Sequence, residues 1–315
     1  MRAISLPAKP PTEFGEEVRY YLQLSPRQLP SRYLYDPLGS ALFDAICELP
    51  WYGITRAENR LLAAHRRRVF SHLPGLTRIV ELGPGDGRKM ETLVQGTSHP
   101  LTTHLIDVSA VALARAAHTL SDAAHVEVIS HEASFEDGLD AIEPSASTLI
   151  AFLGSNLGNF DPPACDALLR RIRASLEPGG GFLLGVDLVK PEQELMLAYD
   201  DPLGVSAAFN LNILARINRD LRGDFDLRAF RHRAAWNAAL SRMEMFVVAT
   251  RQQRVRIDAI NLDLALDNDE EIWTESSYKY TRDALTRLLH AAHFEPIEQW
   301  IDRDDAFALT LARAI

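Results

Sequence analysis

A turn with three alternating glycines, placed directly after an apolar run, is the feature that most constrains how this chain can fold. The sequence VELGPGDG occupies residues 80–87, and the residues from 76 onward have the apolar character of a buried strand. Glycine at such a turn lets the backbone approach a ligand that a β-carbon would exclude. The segment therefore predicts the first strand, turn and helix of a nucleotide-binding sheet.

Strand and helix patterns alternate on both sides of this turn. The run at 147–153 is continuously apolar, as in strands buried on both faces of a parallel sheet. Asp161 followed by Pro162 predicts a helix start, with the aspartate as N-cap and the proline at the first helical position. Strands are predicted at 76–82, 126–130, 147–153 and 182–186, and helices at 88–96 and 111–120. This βαβ alternation predicts an α/β fold with a doubly wound sheet.

The regular alternation of strand and helix patterns ends after residue 190. Residues 193–221 have a helical pattern interrupted by Pro202 and Gly204, and partly alternating strands at 244–250, 254–259 and 271–277 predict a separate antiparallel sheet. A helix at 280–293 and a strand at 307–312 are expected to return to the first sheet. We therefore expect one domain at 57–190 plus 279–315, and a second, α+β domain at 1–56 plus 191–278.

Composition excludes several classes of function. The formal net charge is −10 and no basic stripe is present, which disfavours binding to nucleic acid. No apolar run approaches the roughly 18 residues that a membrane span requires. The two cysteines, Cys47 and Cys165, indicate a reducing, cytoplasmic location. No recognised metal-ligand spacing occurs, so we expect no metal. A monomer fits these observations.

Two acidic residues refine the prediction for the glycine turn. Glu81 precedes the glycines, and Asp107 ends the next strand at the spacing of roughly 20 residues that a ribose-binding acid keeps. The third glycine, Gly87, comes one residue earlier than in the dinucleotide pattern G-x-G-x-x-G. The pattern E-x-G-x-G-x-G resembles the first motif of the Rossmann-like class I methyltransferases, whose cofactor is S-adenosylmethionine and whose coproduct is S-adenosylhomocysteine. Glu81 and the early position of Gly87 disfavour the alternative of a nicotinamide-dependent oxidoreductase.

Other segments together resemble one family, the L-histidine Nα-methyltransferases of ergothioneine biosynthesis. They span essentially the whole chain, and they are 35–44, 49–52, 55–58, 152–159, 185–190, 207–210 and 274–277. The resemblance implies a two-domain enzyme that trimethylates the α-amine of L-histidine to hercynine. A methyltransferase of the same fold that acts on another amino acid, such as tryptophan, is the main alternative.

The resemblance also implies roles for individual residues. Tyr35 and Tyr52 would orient the reactants, and no nucleophilic residue is expected because an in-line methyl transfer mainly requires positioning. Where the family commonly has Asp-Phe at the adenine, this chain has Ser134 and Phe135. The residues implied to bind substrate are Tyr52, Asn159, Tyr199, Met245, Glu275 and Ser277. Those implied to bind cofactor are Tyr35, Glu81, Gly83, Gly85, Lys89, Asp107, Ser134, Phe135 and Gly154.

The substrate prediction has partial support from the chemistry of the residues alone. Imidazole has two ring nitrogens, and a carboxylate and a hydroxyl can satisfy both of them. Glu275 and Ser277 supply those two groups at alternate positions of a predicted strand. The residues thus favour an amino-acid substrate with a polar ring.

Overall fold

The structure, a computed structural model, describes residues 14–315. Over that range the helices are α1 (Phe14–Leu22), α2 (Pro37–Cys47), α3 (Ile54–His72), α4 (Arg88–Val94), α5 (Ala110–Leu120), α6 (Phe135–Asp140), α7 (Pro162–Ala174), α8 (Glu192–Tyr199), α9 (Val205–Leu221) and α10 (Arg282–Ala291). The strands are β1 (Arg27–Gln28), β2 (Arg78–Leu82), β3 (Leu101–Asp107), β4 (Val126–Glu132), β5 (Thr148–Phe152), β6 (Gly181–Asp187), β7 (Phe230–Asn237), β8 (Arg242–Ala249), β9 (Gln253–Ile257), β10 (Leu262–Leu266), β11 (Glu271–Tyr278), β12 (Phe294–Asp302) and β13 (Phe307–Ala314).

Contacts within the chain define two compact units. The sheet unit comprises Gly53–Lys190 and Tyr278–Ile315, and the inserted unit comprises residues 14–52 together with Pro191–Ser277. The sequence placed the corresponding domain ends at 56, 190 and 278. The functional roles predicted for the two parts remain predictions.

The sheet unit contains a seven-stranded sheet in the order β12-β13-β6-β5-β2-β3-β4. Strands β6, β5, β2, β3 and β4 run parallel, whereas β13 pairs antiparallel with β6 and β12 antiparallel with β13. This confirms the doubly wound α/β sheet and the return of the C-terminal strand to it. The sequence missed β12 because Pro296 and a register shift between Pro296 and Glu298 interrupt its alternation.

The apolar runs form the core of this unit. Every residue of β5 and β6 is buried, and Phe152 and Phe182 lie in one cluster with leucines of α7 and α10. Asp161 caps α7 by accepting a hydrogen bond from the Ala164 amide at 2.9 Å, with Pro162 in the first turn, as predicted. The carboxyl ends of the parallel strands thus carry the turns that the sequence singled out for ligand binding.

The inserted unit contains a four-stranded sheet in the order β1-β11-β8-β7 and a separate ribbon of β9 and β10. The prediction of a single antiparallel sheet is wrong in two respects, because β9 pairs with β10 instead and β1 pairs parallel with β11. The sequence also missed β7, whose buried residues are only Phe230 and Ala234. Arginines interrupt any apolar alternation along that strand.

The predicted interruption of the long helical stretch is confirmed. Helix α8 ends at Tyr199, and α9 begins after Gly204, which has a left-handed conformation with φ of 76°. Within residues 14–315, no helix combines the length and apolarity that crossing a membrane requires.

Candidate active site

The three glycines of the turn after β2 have positive φ angles, but they serve different purposes. The angles are 70° at Gly83, 59° at Gly85 and 80° at Gly87, a region that residues with a β-carbon rarely adopt. A β-carbon on Gly87 would come within 2.8 Å of the Ala116 Cα, whereas one on Gly85 would meet no atom within 4 Å. Gly87 therefore permits close packing of α5, and Gly85 borders open space of the kind that a ligand needs.

Glu81 is the most unusual ionisable residue beside this turn. Only 1% of it is exposed, and its Oε2 has no hydrogen-bond partner among the described residues. Burial raises the pKa of Glu81 to about 8, although the nearby Lys89 charge acts in the opposite direction. A buried oxygen without a partner costs stability, so a ligand that donates a hydrogen bond or carries positive charge there would be favoured.

Lys89 and Gly154 are held by a third residue that the sequence did not single out. Glu58, fully buried on α3, lies with its Oε2 2.5 Å from the Lys89 Nζ. Both oxygens of Glu58 also accept from the Gly154 backbone amide, at 2.9 and 2.8 Å. Glu58 therefore fixes the turn after β5 and neutralises Lys89. The only sequence signal for it was its place in the 55–58 segment of the family resemblance.

Asp107 ends β3 in a partly apolar environment. Its carboxylate accepts from the Ser109 amide at 2.9 Å, and burial raises its pKa. Two apolar neighbours are strongly exposed, Val108 at 66% and Val111 at 62%. A carboxylate beside exposed apolar side chains is a suitable surface for a ribose and a flat base.

Ser134 has a structural role that the sequence analysis did not assign. It is the N-cap of α6, where its Oγ accepts from the Asp137 amide at 3.1 Å and donates to the Asp137 carboxylate at 2.9 Å. Phe135 packs edge to face on Phe152, with ring centroids 5.6 Å apart. The adenine contacts predicted for Ser134 and Phe135 remain predictions, and the Ser-x-x-Asp spacing was the available signal for the cap.

The turn after β5 contains a residue in an unusual backbone conformation, Ser155, followed by the short 3₁₀ turn that ends at Asn159. Ser155 adopts the left-handed region with φ of 59°, and its Oγ accepts from the Asp187 amide at 2.9 Å. A non-glycine residue in this conformation is often found at functional sites. Asn159, predicted to bind substrate, is half-buried at the end of the short 3₁₀ turn Asn156–Asn159. It belongs to the sheet unit.

Asp187 holds the chain next to two of the three points where it passes from one unit to the other. The Lys190 Nζ lies 2.8 Å from its Oδ1, and the Nζ of Lys279, whose side chain is fully buried, lies 2.8 Å from its Oδ2. The backbone adds hydrogen bonds between Tyr280 and Asp187 and between Val189 and Tyr280. Because one carboxylate serves two ammonium groups, removal of Asp187 would leave both of them without its compensating charge.

The inserted unit contains a cluster of five aromatic rings. Ring centroids lie 5.4 Å apart for Tyr35 and Phe43 and 5.3 Å apart for Tyr35 and Phe209. The cluster continues through Tyr52, 6.2 Å from Phe43 and 6.5 Å from Tyr199. Aromatic faces attract cations, including quaternary ammonium groups. The sequence analysis had assigned roles to the three tyrosines but not to the two phenylalanines.

Glu275 and Ser277 occupy alternate positions of β11 and therefore the same face of its sheet. They are 8% and 5% exposed. The Tyr199 hydroxyl donates to the Ser277 Oγ at 2.9 Å. Burial, and next the Glu275 charge, raise the pKa of Tyr35 well above its ordinary value. The structure thus brings together four predicted residues of the inserted unit, which are Tyr35, Tyr199, Glu275 and Ser277.

Met245 lies on β8 and is buried. Its backbone carbonyl accepts from the Thr274 hydroxyl at 3.0 Å, so it neighbours the residue before Glu275. Its predicted place in the wall of the substrate pocket remains a prediction.

Residues 14–314 match the family model described as the S-adenosylmethionine-dependent, histidine-specific methyltransferases. The chain belongs to this methyltransferase family. The histidine N-alpha-methyltransferase of Mycobacterium tuberculosis is 40% identical over 295 residues, covering 92% of each chain. That of Mycolicibacterium smegmatis is 37% identical, covering 94% of this chain and 93% of the relative. Ergothioneine biosynthesis protein 1 of Neurospora crassa is 27% identical over 87% of this chain but only 32% of its own length.

The residues of this methyltransferase fit the family's cofactor. Membership confirms the predictions of S-adenosylmethionine and of a Rossmann-like class I fold. That cofactor carries a sulfonium and an ammonium, which suit Glu81 with its unpartnered oxygen, and a ribose and base, which suit Asp107 with its apolar neighbours. The space beside Gly85 allows the ligand to approach the backbone. Among the described residues, no group of three or more His, Cys, Asp or Glu side chains could hold a metal ion.

We expect Glu81→Gln to stabilise the ligand-free methyltransferase more at high pH than at low pH. Since the folded pKa of Glu81 is about 8 and its ordinary value is 4.5, the folded protein retains a proton that the unfolded chain releases. The free energy of unfolding should therefore fall as the pH rises from 4.5 to 8, and glutamine removes this loss. A shift of this size corresponds to a few kcal/mol.

Thermal unfolding at acidic pH and at about pH 8 measures the effect, with exposed Glu143→Gln in the same unit as control. The Glu81→Gln variant should gain melting temperature relative to the control as the pH rises. An equal difference at both pH values would show that Glu81 is ionised in the folded protein throughout.

Proposed function

We propose that this protein is an S-adenosylmethionine-dependent N-methyltransferase that converts the α-amine of L-histidine to the trimethylammonium of hercynine, in ergothioneine biosynthesis. Similarity over more than nine-tenths of the chain to histidine N-alpha-methyltransferases supports the reaction. One observation in the structure carries the substrate choice. Glu275 and Ser277 are buried on one face of β11, with Tyr199 donating to Ser277.

The paired carboxylate and hydroxyl suit an imidazole ring. Glu275 accepts from a ring N–H, and Ser277 serves the other ring nitrogen. An indole has a single N–H and would satisfy only Glu275, so this arrangement disfavours tryptophan, the main alternative substrate.

The aromatic cluster of the inserted unit suits the amine and its methylated forms. When bound, S-adenosylmethionine supplies a methyl group on a sulfonium, which is already a good leaving group. The protein must then orient an unprotonated amine and exclude water, and such positioning can account for roughly 7–11 kcal/mol of the barrier. Faces of Tyr35, Tyr52 and Tyr199 can hold the positive charge that grows with each methylation.

Tyr35 acts as an orienting group in this proposal rather than as a base. Its pKa is raised well above the ordinary value, so its hydroxyl keeps its proton at neutral pH. A phenol in that state donates a hydrogen bond and cannot take the proton that the amine loses. We assign the proton to water. Asn159 is proposed to hold the α-amine or carboxylate of the substrate.

The setting of the reaction is also a proposal. Neither Cys47 nor Cys165 forms a disulfide among the described residues, which suits the reducing cytoplasm predicted from the sequence. We further propose a monomer that acts on a small amino acid and binds neither nucleic acid nor membrane.

Calorimetric titration of the twenty amino acids into the protein saturated with S-adenosylhomocysteine tests the substrate choice. Histidine should give the tightest binding, and phenylalanine should give none, since it lacks both ring nitrogens. Tighter binding of tryptophan than of histidine would replace the proposed substrate with the alternative.

A further inference from the structure

A chain of buried hydrogen bonds lies behind the predicted substrate residues of the inserted unit. It joins Thr274 on β11, Asn210 on α9 and His232 on β7. The Thr274 Oγ1 lies 2.6 Å from the Asn210 Oδ1, and the Asn210 Nδ2 lies 2.8 Å from the His232 Nδ1. The His232 Nε2 completes the chain 2.9 Å from the Tyr199 carbonyl oxygen. Asn210 is fully buried, and the His232 side chain is 2% exposed.

The chemistry of these groups allows one assignment of donors and acceptors. A carbonyl oxygen can only accept, so the His232 Nε2 carries the proton toward Tyr199. In the neutral ring the Nδ1 then accepts from the Asn210 amide. The second N–H of that amide donates to the Phe246 carbonyl at 2.9 Å, and its oxygen accepts from the Thr274 hydroxyl, whose single proton is shared with the Met245 carbonyl at 3.0 Å. The network is therefore complete only when His232 is neutral.

Both ends of the network hold residues adjacent to the predicted imidazole site. One end fixes the backbone of Tyr199, whose hydroxyl donates to Ser277. The other end fixes Thr274, which directly precedes Glu275. We propose that Asn210 and neutral His232 are positioning residues that set the orientation of Tyr199 and Glu275 toward the substrate ring. This role rests on the proposed function.

The surroundings of His232 favour the neutral state. Burial lowers its pKa, while the Tyr199 carbonyl, Asp200 and Asp201 act in the opposite direction and Arg233 lowers it further. The Asp200 Oδ1 lies 4.0 Å from the Nε2. The Asn210 amide, which contacts the ring from α9, is uncharged, and so is the Phe246 carbonyl of β8 that this amide binds.

Protonation of His232 would disrupt this arrangement. It would place an N–H on Nδ1 against an N–H of Asn210, and the amide could accept it only by rotating. Rotation would turn the amide oxygen away from Thr274 and the amide nitrogen away from Phe246. Acid pH should therefore weaken histidine binding through this residue as well as through the titration of the substrate itself.

Three substitutions separate positioning from general stability. His232→Leu removes both bonds and leaves an Asn210 N–H and the Tyr199 carbonyl without this partner, and we expect it to raise the KM for histidine at least roughly ten-fold. His232→Gln places an amide N–H near the position of the Nε2 and should restore most of the affinity. Thr274→Val is nearly isosteric and should raise the KM for histidine less than His232→Leu does.

The readouts are the KM for histidine, kcat, and the dissociation constant of S-adenosylhomocysteine. The dissociation constant of S-adenosylhomocysteine should be unchanged in all three variants. Arg231→Gln, an exposed control next to His232 on β7, should leave all three quantities unchanged. The pH profile of kcat/KM should show an acid limb in the unsubstituted protein that is reduced in His232→Gln.

The outcomes separate this role from the proposed function. If the unsubstituted protein does not methylate histidine, the proposed function and this role both fail. If it does, and His232→Leu and Thr274→Val leave the KM for histidine unchanged, only this role fails. Parallel losses of histidine and S-adenosylhomocysteine binding would also overturn it, because they would indicate general destabilisation.

Discussion

Glu275→Ala is expected to lower kcat/KM for histidine by up to roughly 10⁴-fold, while the dissociation constant of S-adenosylhomocysteine stays near its original value. A site built to hydrogen-bond a polar ring loses this much discrimination when the matching group is absent, because the remaining polar group is left unpaired. Glu275 is 8% exposed and lies on the same face of β11 as Ser277. Rates with histidine, together with calorimetry of S-adenosylhomocysteine, measure both effects.

Glu271→Ala is the matched control for this substitution. Glu271 lies on the same strand, but it is half-exposed and paired with the Arg233 guanidinium at 2.6 Å. Surface pairs of this kind contribute little to stability. The control should retain normal turnover of histidine. Unchanged turnover by Glu275→Ala itself would show that another group recognises the imidazole ring. The role that the family resemblance implies for Glu275 would then be wrong.

Gly85→Val is expected to abolish binding of S-adenosylhomocysteine. A β-carbon at this residue meets no protein atom within 4 Å, so a valine side chain would occupy space beside the turn rather than disturb the core. That space is where the family's cofactor must approach the backbone. Calorimetry should give no measurable heat of binding, and histidine should no longer be methylated.

Gly179→Val controls for the backbone strain that any side chain introduces at positive φ. Gly179 has φ of 98° and likewise has no atom within 4 Å of a β-carbon. It lies in the same unit, just before β6 and so at the amino ends of the parallel strands. Each substitution should cost about 1–3 kcal/mol of stability from strain. Only Gly85→Val should lose the cofactor. Equal binding by the two variants would place the cofactor elsewhere.

The parts of the fold that could be predicted from sequence are those specified by local patterns. Continuous apolar runs predicted β5 and β6, and the spacing of Asp161 and Pro162 predicted the start of α7. Strand β7 could not be predicted, because burial of only two of its residues leaves no alternating pattern. The pairing of β9 with β10 depends on a partner strand that the sequence analysis did not recognise.

The residues of the candidate site divide in the same way, into those that a local pattern or the resemblance predicted and those that only folding brings together. The glycine turn, Glu81 and Asp107 follow from spacing along the chain, and the family resemblance supplied Glu275 and Ser277. Neither source indicated that Glu58 would contact Lys89 and Gly154. The network of Asn210, His232 and Thr274 also joins residues from three separate elements. Such contacts arise only when the chain has folded, so no local pattern marks them.

The most direct test of the proposed function is the product formed from histidine and S-adenosylmethionine by the purified protein, identified by mass spectrometry with fragmentation. We expect histidine carrying three methyl groups on its α-nitrogen, with mono- and dimethylated forms as intermediates and no methyl group on the ring. Absence of methylated histidine, or methylation of the imidazole nitrogens instead, would contradict the proposed function.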